Sequence, residues 1–141
     1  MTGFLFCILA GAAMSLQGVM NTRLGEGIGT MEANAFVQVT AALLSLAALL
    51  IYRNGSFSAL TDVNRLFWFG GALGLVITIT VMLGIKTLSP TVAISTILIS
   101  QLLVAALIDA FGLMGTEKIT FGWTKILGLI FMIAGVLIFK K

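Results

Sequence analysis

Residues 90–115, PTVAISTILISQLLVAALIDAFGLMG, decide the fold of this chain. About 20 predominantly apolar residues are enough for a helix to cross the hydrocarbon core of a bilayer, and this stretch is longer. It nevertheless contains Gln101 and, near its far end, Asp109, the one carboxylate of the chain embedded in an apolar run. An acid at such a depth is costly, so it indicates either a functional site or a carboxylate that reaches interfacial water and pairs with a nearby lysine.

The composition of the whole chain places it in a membrane. Its 141 residues are 60% hydrophobic and 9% charged, whereas soluble domains carry about 25% charged residues. We therefore expect an integral membrane protein that forms a single domain in contact with the lipid bilayer. Histidine is absent and Cys7 is the one cysteine, which excludes disulfides within the chain and the usual zinc or haem ligand sets, so no cofactor is expected.

Five apolar runs predict five transmembrane helices. Each run is continuous and longer than the roughly ten-residue alternating segments of a membrane barrel, so helices are favoured over strands. The predicted helices span about 3–22, 31–52, 66–85, 91–114 and 121–139. Pro90 is expected in the first turn of the fourth helix, where its missing N–H costs nothing. The glycine-rich segment GEGIG, residues 25–29, is expected to form a flexible loop.

The basic residues divide equally between the two sides of the membrane. Five crossings place the termini on opposite sides, and the side of the N-terminus then carries Arg53, Arg65, Lys118 and Lys125. The other side carries Arg23, Lys86, Lys140 and Lys141. Since an excess of Lys and Arg in cytoplasmic loops sets orientation, this equality predicts dual topology, with copies inserted both ways and paired as an antiparallel homodimer. The alternative is one orientation, set by a partner or by the charges closest to the helix ends.

Four large amides and one acid are the candidate site residues among the polar groups of the predicted helices. The amides are Gln17, Asn21, Gln38 and Gln101. Each could simply bond a neighbouring helix, for about 0.6 kcal/mol, but four are more than packing requires, so we expect them to line a cavity. On the second helix, helical spacing produces a polar-to-small stripe of Asn34, Gln38, Ala41 and Ser45. Glu32 is assigned to capping, because the helix dipole favours an acid in the first turn.

The residues offer little for catalysis or for nucleic-acid binding. Without histidine there is no usual pair of nucleophile and base, and Asp109 has no second embedded carboxylate to work with. The GEGIG segment does not follow a strand, so it does not match a phosphate-binding loop. The net charge of +3 is scattered between apolar runs, which does not indicate nucleic acid as a partner. An enzyme is not expected.

The fourth helix and the sequence after it carry a family resemblance. SQLLVAALIDAFGLMG (100–115), a polar loop and KILGLIFMIAGVLI (125–138) resemble the C-terminal signature of YdcZ-type inner-membrane exporters, half-size members of the drug/metabolite transporter superfamily. The family's Q-x-x-x-N-x-x-L and W-x-G-G-x-x-G patterns are matched by Gln17, Asn21, Leu24, Trp68, Gly70, Gly71 and Gly74. The resemblance covers essentially the whole chain and departs at Ser100 and Gln38, where the family often has glycine.

The last helix is similar to the final helix of small multidrug resistance transporters, through Gly128, Gly135 and Val136. These resemblances imply that helix 5 forms the dimer interface while helices 1 to 4 surround a substrate path. They imply a multi-pass transporter in the bacterial cytoplasmic (inner) membrane that moves a small polar or cationic metabolite by alternating access. Small multidrug resistance transporters carry a first-helix glutamate that helix 1 lacks, so proton-coupled cation export is not implied.

In this interpretation the four amides hydrogen-bond the small-molecule substrate, and Asp109 supplies a negative charge or a titrating proton site. Two interpretations from other classes stay open at this point. One is a non-transporting structural or assembly subunit, whose polar groups serve only helix packing. The other is a channel-like pore for water or small neutral solutes.

Overall fold

The computed structural model describes residues 2–119 and 122–139, and it consists of α-helices and the segments that connect them. The helices are α1 (Thr2–Ile28), α2 (Thr30–Ile51), α3 (Gly70–Thr87), α4 (Pro90–Phe111) and α5 (Trp123–Phe139). No strand occurs in the two described ranges. The predicted all-α fold is confirmed.

Length and surface chemistry both suit a bilayer. Four segments are long and apolar enough to cross a membrane, namely Thr2–Ile28, Thr30–Ile51, Arg65–Thr87 and Pro90–Phe111. α5 has 17 residues, which corresponds to about 26 Å at the helical rise of 1.5 Å per residue and lies at the short limit for a spanning helix. Large apolar side chains cover the surface, with Leu50 89% and Phe4 81% exposed. Apolar surface on this scale marks contact with a membrane.

The first helix is longer than predicted. The glycine-rich segment was expected to form a flexible loop, but α1 continues through it to Ile28, so that prediction was wrong. Within this last part of the helix, Arg23 Nη1 and Glu26 Oε2 form an ion pair at 2.9 Å. Their spacing of three residues places both side chains on one helical face, which favours continued helix over a loop.

The turn between α1 and α2 consists of a single residue, Gly29, with φ of +102°. A Cβ at this position would collide with the Glu32 carboxylate, which lies over the start of α2. That placement agrees with the expected stabilisation of the positive end of the α2 dipole by an acid. The Gly29 N–H donates to the Gly25 carbonyl at 3.0 Å, and its own carbonyl accepts from the Ala33 N–H at 3.0 Å. α1 and α2 therefore form a tight helical hairpin.

The connection between α2 and α3 is partly ordered, by two 3-10 turns over Phe57–Asp62 and Arg65–Phe69. Asn64 Oδ1 accepts a hydrogen bond from the Leu66 N–H at 3.0 Å and caps the second turn. Because this cap starts a 3-10 turn, α3 begins at Gly70, later than predicted.

α4 begins where the sequence predicted and ends earlier. Ser89 Oγ accepts from the Val92 N–H at 3.4 Å, and Pro90 occupies the first turn. The helix ends at Phe111, three residues before the predicted end, because Gly112 adopts the left-handed conformation with φ of +63°. Glycine adopts this conformation without the steric cost that a Cβ would bring.

The chain after α4 folds back on the end of that helix. The Ile119 N–H donates to the Asp109 carbonyl at 2.9 Å, so the loop is bonded to the turn that carries the embedded acid. The predicted start of the fifth helix, residue 121, lies outside the described residues. In the described part α5 begins at Trp123.

The helices form two compact units, Met1–Lys86 and Thr87–Lys141. The first contains α1, α2 and nearly all of α3, and the second contains α4 and α5. Among the described residues, the buried apolar side chains are Ala33, Met82 and Ile85 in the first unit and Ala93 in the second. So few buried apolar residues are expected of helices whose outer faces are solvated by lipid, since lipid tails are as apolar as the side chains they contact.

Candidate functional site

Two glycines of α1 bring the three helices of the first unit together. A Cβ at Gly18 would lie 2.9 Å from Ile85 Cδ1 of α3. A Cβ at Gly25 would lie 3.6 Å from Met82 Sδ of α3 and 3.7 Å from Ala33 Cβ of α2. The missing side chains provide the space in which α3 and α2 pack against α1.

The first unit also buries polar side chains. Among the described residues these are Asn21 (8% exposed), Thr22 (5%) and Asn34 (3%). Thr22 Oγ1 donates to the Gly18 carbonyl at 2.7 Å, so this hydroxyl is satisfied within its own helix. Asn21, one of the amides predicted to contact substrate, is thus enclosed in the unit rather than facing lipid.

Gln38 connects α2 to α3. Its Nε2 donates to Thr78 Oγ1 at 3.4 Å, and that hydroxyl donates to the Gly74 carbonyl at 2.9 Å. Gln38 and Thr78 are both half-buried. This bond joins two neighbouring helices, as the packing interpretation of the amides predicts. It is weak, because 3.4 Å is beyond the usual N–H···O range. A ligand could replace it at small cost.

Asn34 is a buried polar residue that the sequence analysis did not select. Its Oδ1 accepts no hydrogen bond from any described residue, whereas roughly 90% or more of buried polar groups in proteins have a partner. A signal for it was present, since Asn34 precedes Gln38 by about one turn on the same polar-to-small stripe. Spacing alone could not show that one amide of this stripe would be buried and unpaired.

Two of the predicted amides lie on the surface of their units. Gln17 on α1 and Gln101 on α4 are both exposed. Lipid tails offer no hydrogen-bonding partner, so an amide at this position needs water, a ligand or another protein surface. The role of these two residues in substrate binding stays a prediction.

Asp109 lies at a cavity between α4 and α5 of the second unit. The cavity volume is about 470 Å³, within the range of about 300–1,000 Å³ typical of small-molecule sites. It is lined by Leu102, Ala105, Ala106, Asp109, Lys125, Gly128, Leu129 and Met132. Small residues on both helices leave this space open. The walls are apolar except for one acid and one base, which suits a small molecule with an apolar body and a charged group.

Asp109 is half-buried and lines the cavity together with Lys125. The sequence left open that it pairs with a nearby lysine, and this alternative stays open, since Lys125 lines the same cavity. In residues 2–119 and 122–139, no three His, Cys, Asp or Glu side chains are grouped to hold a metal ion.

The α5 residues predicted for the dimer interface line open space. Gly128 lines the Asp109 cavity, and Val136 lines a second groove of about 330 Å³ between α4 and α5. No described atom lies within 4 Å of where a Cβ would stand at Gly128 or Gly135. Glycine within a helix costs about 1 kcal/mol relative to alanine, and packing inside the described chain does not account for these two.

Comparison with known protein families places nearly the whole chain in one of them. The model of the family described as "Putative inner membrane exporter, YdcZ" matches residues 2–138. Neither a curated protein nor a solved structure matches the chain. The family match spans α1 to α4 and all but the last residue of α5.

Proposed function

The chain belongs to the YdcZ family of inner membrane exporters, and from this we propose that it exports a small polar or cationic metabolite by alternating access. The family and the long apolar helices identify a multi-pass inner membrane protein of the transporter type. The substrate class, the mechanism and the assembly described below belong to the proposal.

The cavity that carries Asp109 is the observation that supports this function most directly. A carboxylate held half-buried among apolar side chains attracts a cation more strongly than one in water, because the local dielectric constant is lower. Apolar walls then bind the remainder of the molecule. The arrangement can bind a cation but has no second acid with which to do chemistry on it, so a transporter fits better than an enzyme.

The residues proposed for substrate contact and for dimer formation are those expected from the sequence. The substrate-contacting residues are Gln17, Asn21, Gln38, Gln101 and Asp109. The dimer-forming residues on α5 are Gly128, Gly135 and Val136. The open space beside the two glycines supports the second group, since small residues let a helix of another copy approach closely.

An antiparallel homodimer would complete the transporter. Two copies inserted in opposite orientations form an inverted repeat, and inverted repeats hold substrate near the bilayer midplane while access alternates between the two sides. The equal division of basic residues supports this assembly, because it leaves no preferred orientation.

The function is tested by reconstituting the full chain in liposomes on a solid-supported membrane and recording currents. The compounds are small amines, quaternary ammonium ions and organic acids. We expect saturable currents for at least one cation, and none from liposomes without protein. Current that rises without saturation would favour a channel-like pore, and no flux of any compound would favour a structural subunit.

Dual topology predicts that one exposed position is reached from both sides of the membrane. In a Cys7→Ser background, a cysteine replacing Ser58 in the exposed α2–α3 connection provides the label site. A membrane-impermeant maleimide should label about half of the copies in intact cells and all of them after permeabilisation, because the charge balance directs neither orientation.

The matched control for this labelling adds lysines to the same connection, at Thr61 and Asp62. The added charges should hold this connection on the cytoplasmic side, so that labelling becomes nearly absent in intact cells and complete only after permeabilisation. If the variant without added lysines is already labelled all or none, the dual-topology assembly is wrong.

A further inference from the structure

We propose that Asn34 Oδ1 is the hydrogen-bond acceptor of a closed binding site between α1, α2 and α3, which takes a small ligand that carries N–H donors on a positive charge. The inference rests on the proposed function, since it names a residue and a substrate chemistry for it. Asn34 is 3% exposed, and its Oδ1 has no partner among the described residues.

Two contacts place Asn34 at the junction of the three helices. Ala33 of α2 and Met82 of α3 both lie beside Gly25 of α1. About one turn further along α2, Gln38 bonds Thr78, which lies about one turn back along α3. α2 and α3 are therefore antiparallel here, and Asn34 lies on α2 between the two contacts.

The surroundings of Asn34 explain why the unpaired oxygen is informative. The buried residues that α2 and α3 contribute beside Asn34 are apolar: Ala33 is 0%, Met82 2% and Ile85 6% exposed, whereas α1 contributes the buried polar residues Asn21 and Thr22. A leucine would fill comparable space without burying an unsatisfied acceptor, whose desolvation costs about 1–3 kcal/mol. Residues that lower stability without a compensating contact are concentrated at functional sites.

The chemistry of the oxygen selects the ligand class. A carbonyl oxygen accepts hydrogen bonds and repels anions, so it is suited to an ammonium or guanidinium group, which donates N–H bonds and carries the favourable charge. A quaternary ammonium ion of the same charge has no N–H to donate. A site that binds through the Asn34 oxygen should therefore prefer a cation with N–H groups, whereas a site that binds through charge alone should bind both kinds of cation equally.

The helix contacts also allow the site to open. α3 meets α1 through the ends of the Ile85 and Met82 side chains, which lie against glycines. A long hydrogen bond from Gln38 joins α3 to α2. Side-chain ends can change rotamer and slide over glycine at low cost, as in shear motions of packed helices. A displacement of α3 would expose Asn34, and the described structure is then the closed form of the site.

The test is thermal unfolding of the full chain in detergent, with methylammonium or tetramethylammonium chloride at equal ionic strength. Methylammonium should raise the unfolding midpoint of the unmodified protein by a few degrees in a concentration-dependent manner. Tetramethylammonium should raise it less.

The Asn34→Leu variant should unfold at a higher temperature without ligand and should lose the methylammonium shift. As matched control, Thr40→Val removes an exposed hydroxyl of α2 that bonds only the Phe36 carbonyl, and it should keep the shift.

Every outcome other than the expected one either overturns the inference or separates it from the proposed transport function. Equal methylammonium shifts in the unmodified protein and Asn34→Leu would overturn it, and so would no shift in the unmodified protein, as expected if a buried water satisfies Asn34. If Asn34→Leu fails to fold, Asn34→Asp, which retains an acceptor of the same size, must keep the shift, and its loss would overturn the inference. A shift that depends on Asn34 without flux in liposomes would support this site and contradict the transport function.

Discussion

Replacing Asp109 by asparagine is expected to lower the transport of a cationic substrate about thirtyfold. Two unit charges 4 Å apart attract each other by about 1 kcal/mol in water and about 4 kcal/mol near a protein surface, and a half-buried carboxylate lies between these limits. A loss of about 2 kcal/mol corresponds to about thirtyfold in affinity. The measurement is the initial current per reconstituted protein at substrate concentrations below saturation.

The matched control for this change is Asp62→Asn, which removes an exposed acid from the α2–α3 connection. It should leave the current unchanged, because a charge in water outside the cavity contributes little to binding. Asp109→Glu keeps the charge and should retain part of the activity. Equal currents from Asp109→Asn and the unmodified protein would remove Asp109 from the binding site and leave it with a structural role beside the loop bonded to its carbonyl.

Replacing Gly18 by leucine is expected to leave the first unit about 2–3 kcal/mol less stable than replacing Gly11 by leucine does. A Cβ there would lie 2.9 Å from Ile85 Cδ1 and 3.2 Å from Val81 Cγ1. The Ile85 terminal methyl can rotate away from one added carbon, so Gly18→Ala should cost little. Leucine adds three more carbons, and inserting such volume into a packed contact typically costs about 1–3 kcal/mol. The measurement is the midpoint of thermal unfolding in detergent.

Gly11→Leu is the matched control, because Gly11 lies on the same small-residue face of α1 and no described atom is within 4 Å of where its Cβ would stand. Both substitutions gain about 1 kcal/mol from helix propensity, so the difference between them isolates the contact with α3. If both variants unfold at the same temperature, α3 does not pack on Gly18 as described.

The embedded acid and the first-unit amides differ in how far the sequence could predict them. Asp109 was recognisable as soon as the apolar run around it was seen, because a charge in such a run is rare. Asn34 was visible only as one member of a stripe, since the burial of its oxygen depends on how α3 packs. Gln17 and Gln101 satisfy the same sequence criteria as Asn21, yet the structure leaves them exposed.

The end of α1 shows the same distinction for the fold. Glycines 25 and 27 suggested a loop, because glycine lowers helix propensity. Gly25 instead lies inside a helix at the contact with Ala33 and Met82, where the absence of a side chain permits close packing. Local propensity was overruled by a tertiary contact with residues that follow much later in the chain.

Composition and apolar run length were sufficient to establish a membrane protein made of helices, because lipid requires every backbone group to be bonded within the segment that crosses it. The family followed from short motifs in the same runs. Which polar groups face each other did not follow, because that depends on the rotation of each helix about its axis. That rotation is set where side chains of separate helices meet, at Gly18, Gly25 and the cavity beside Asp109.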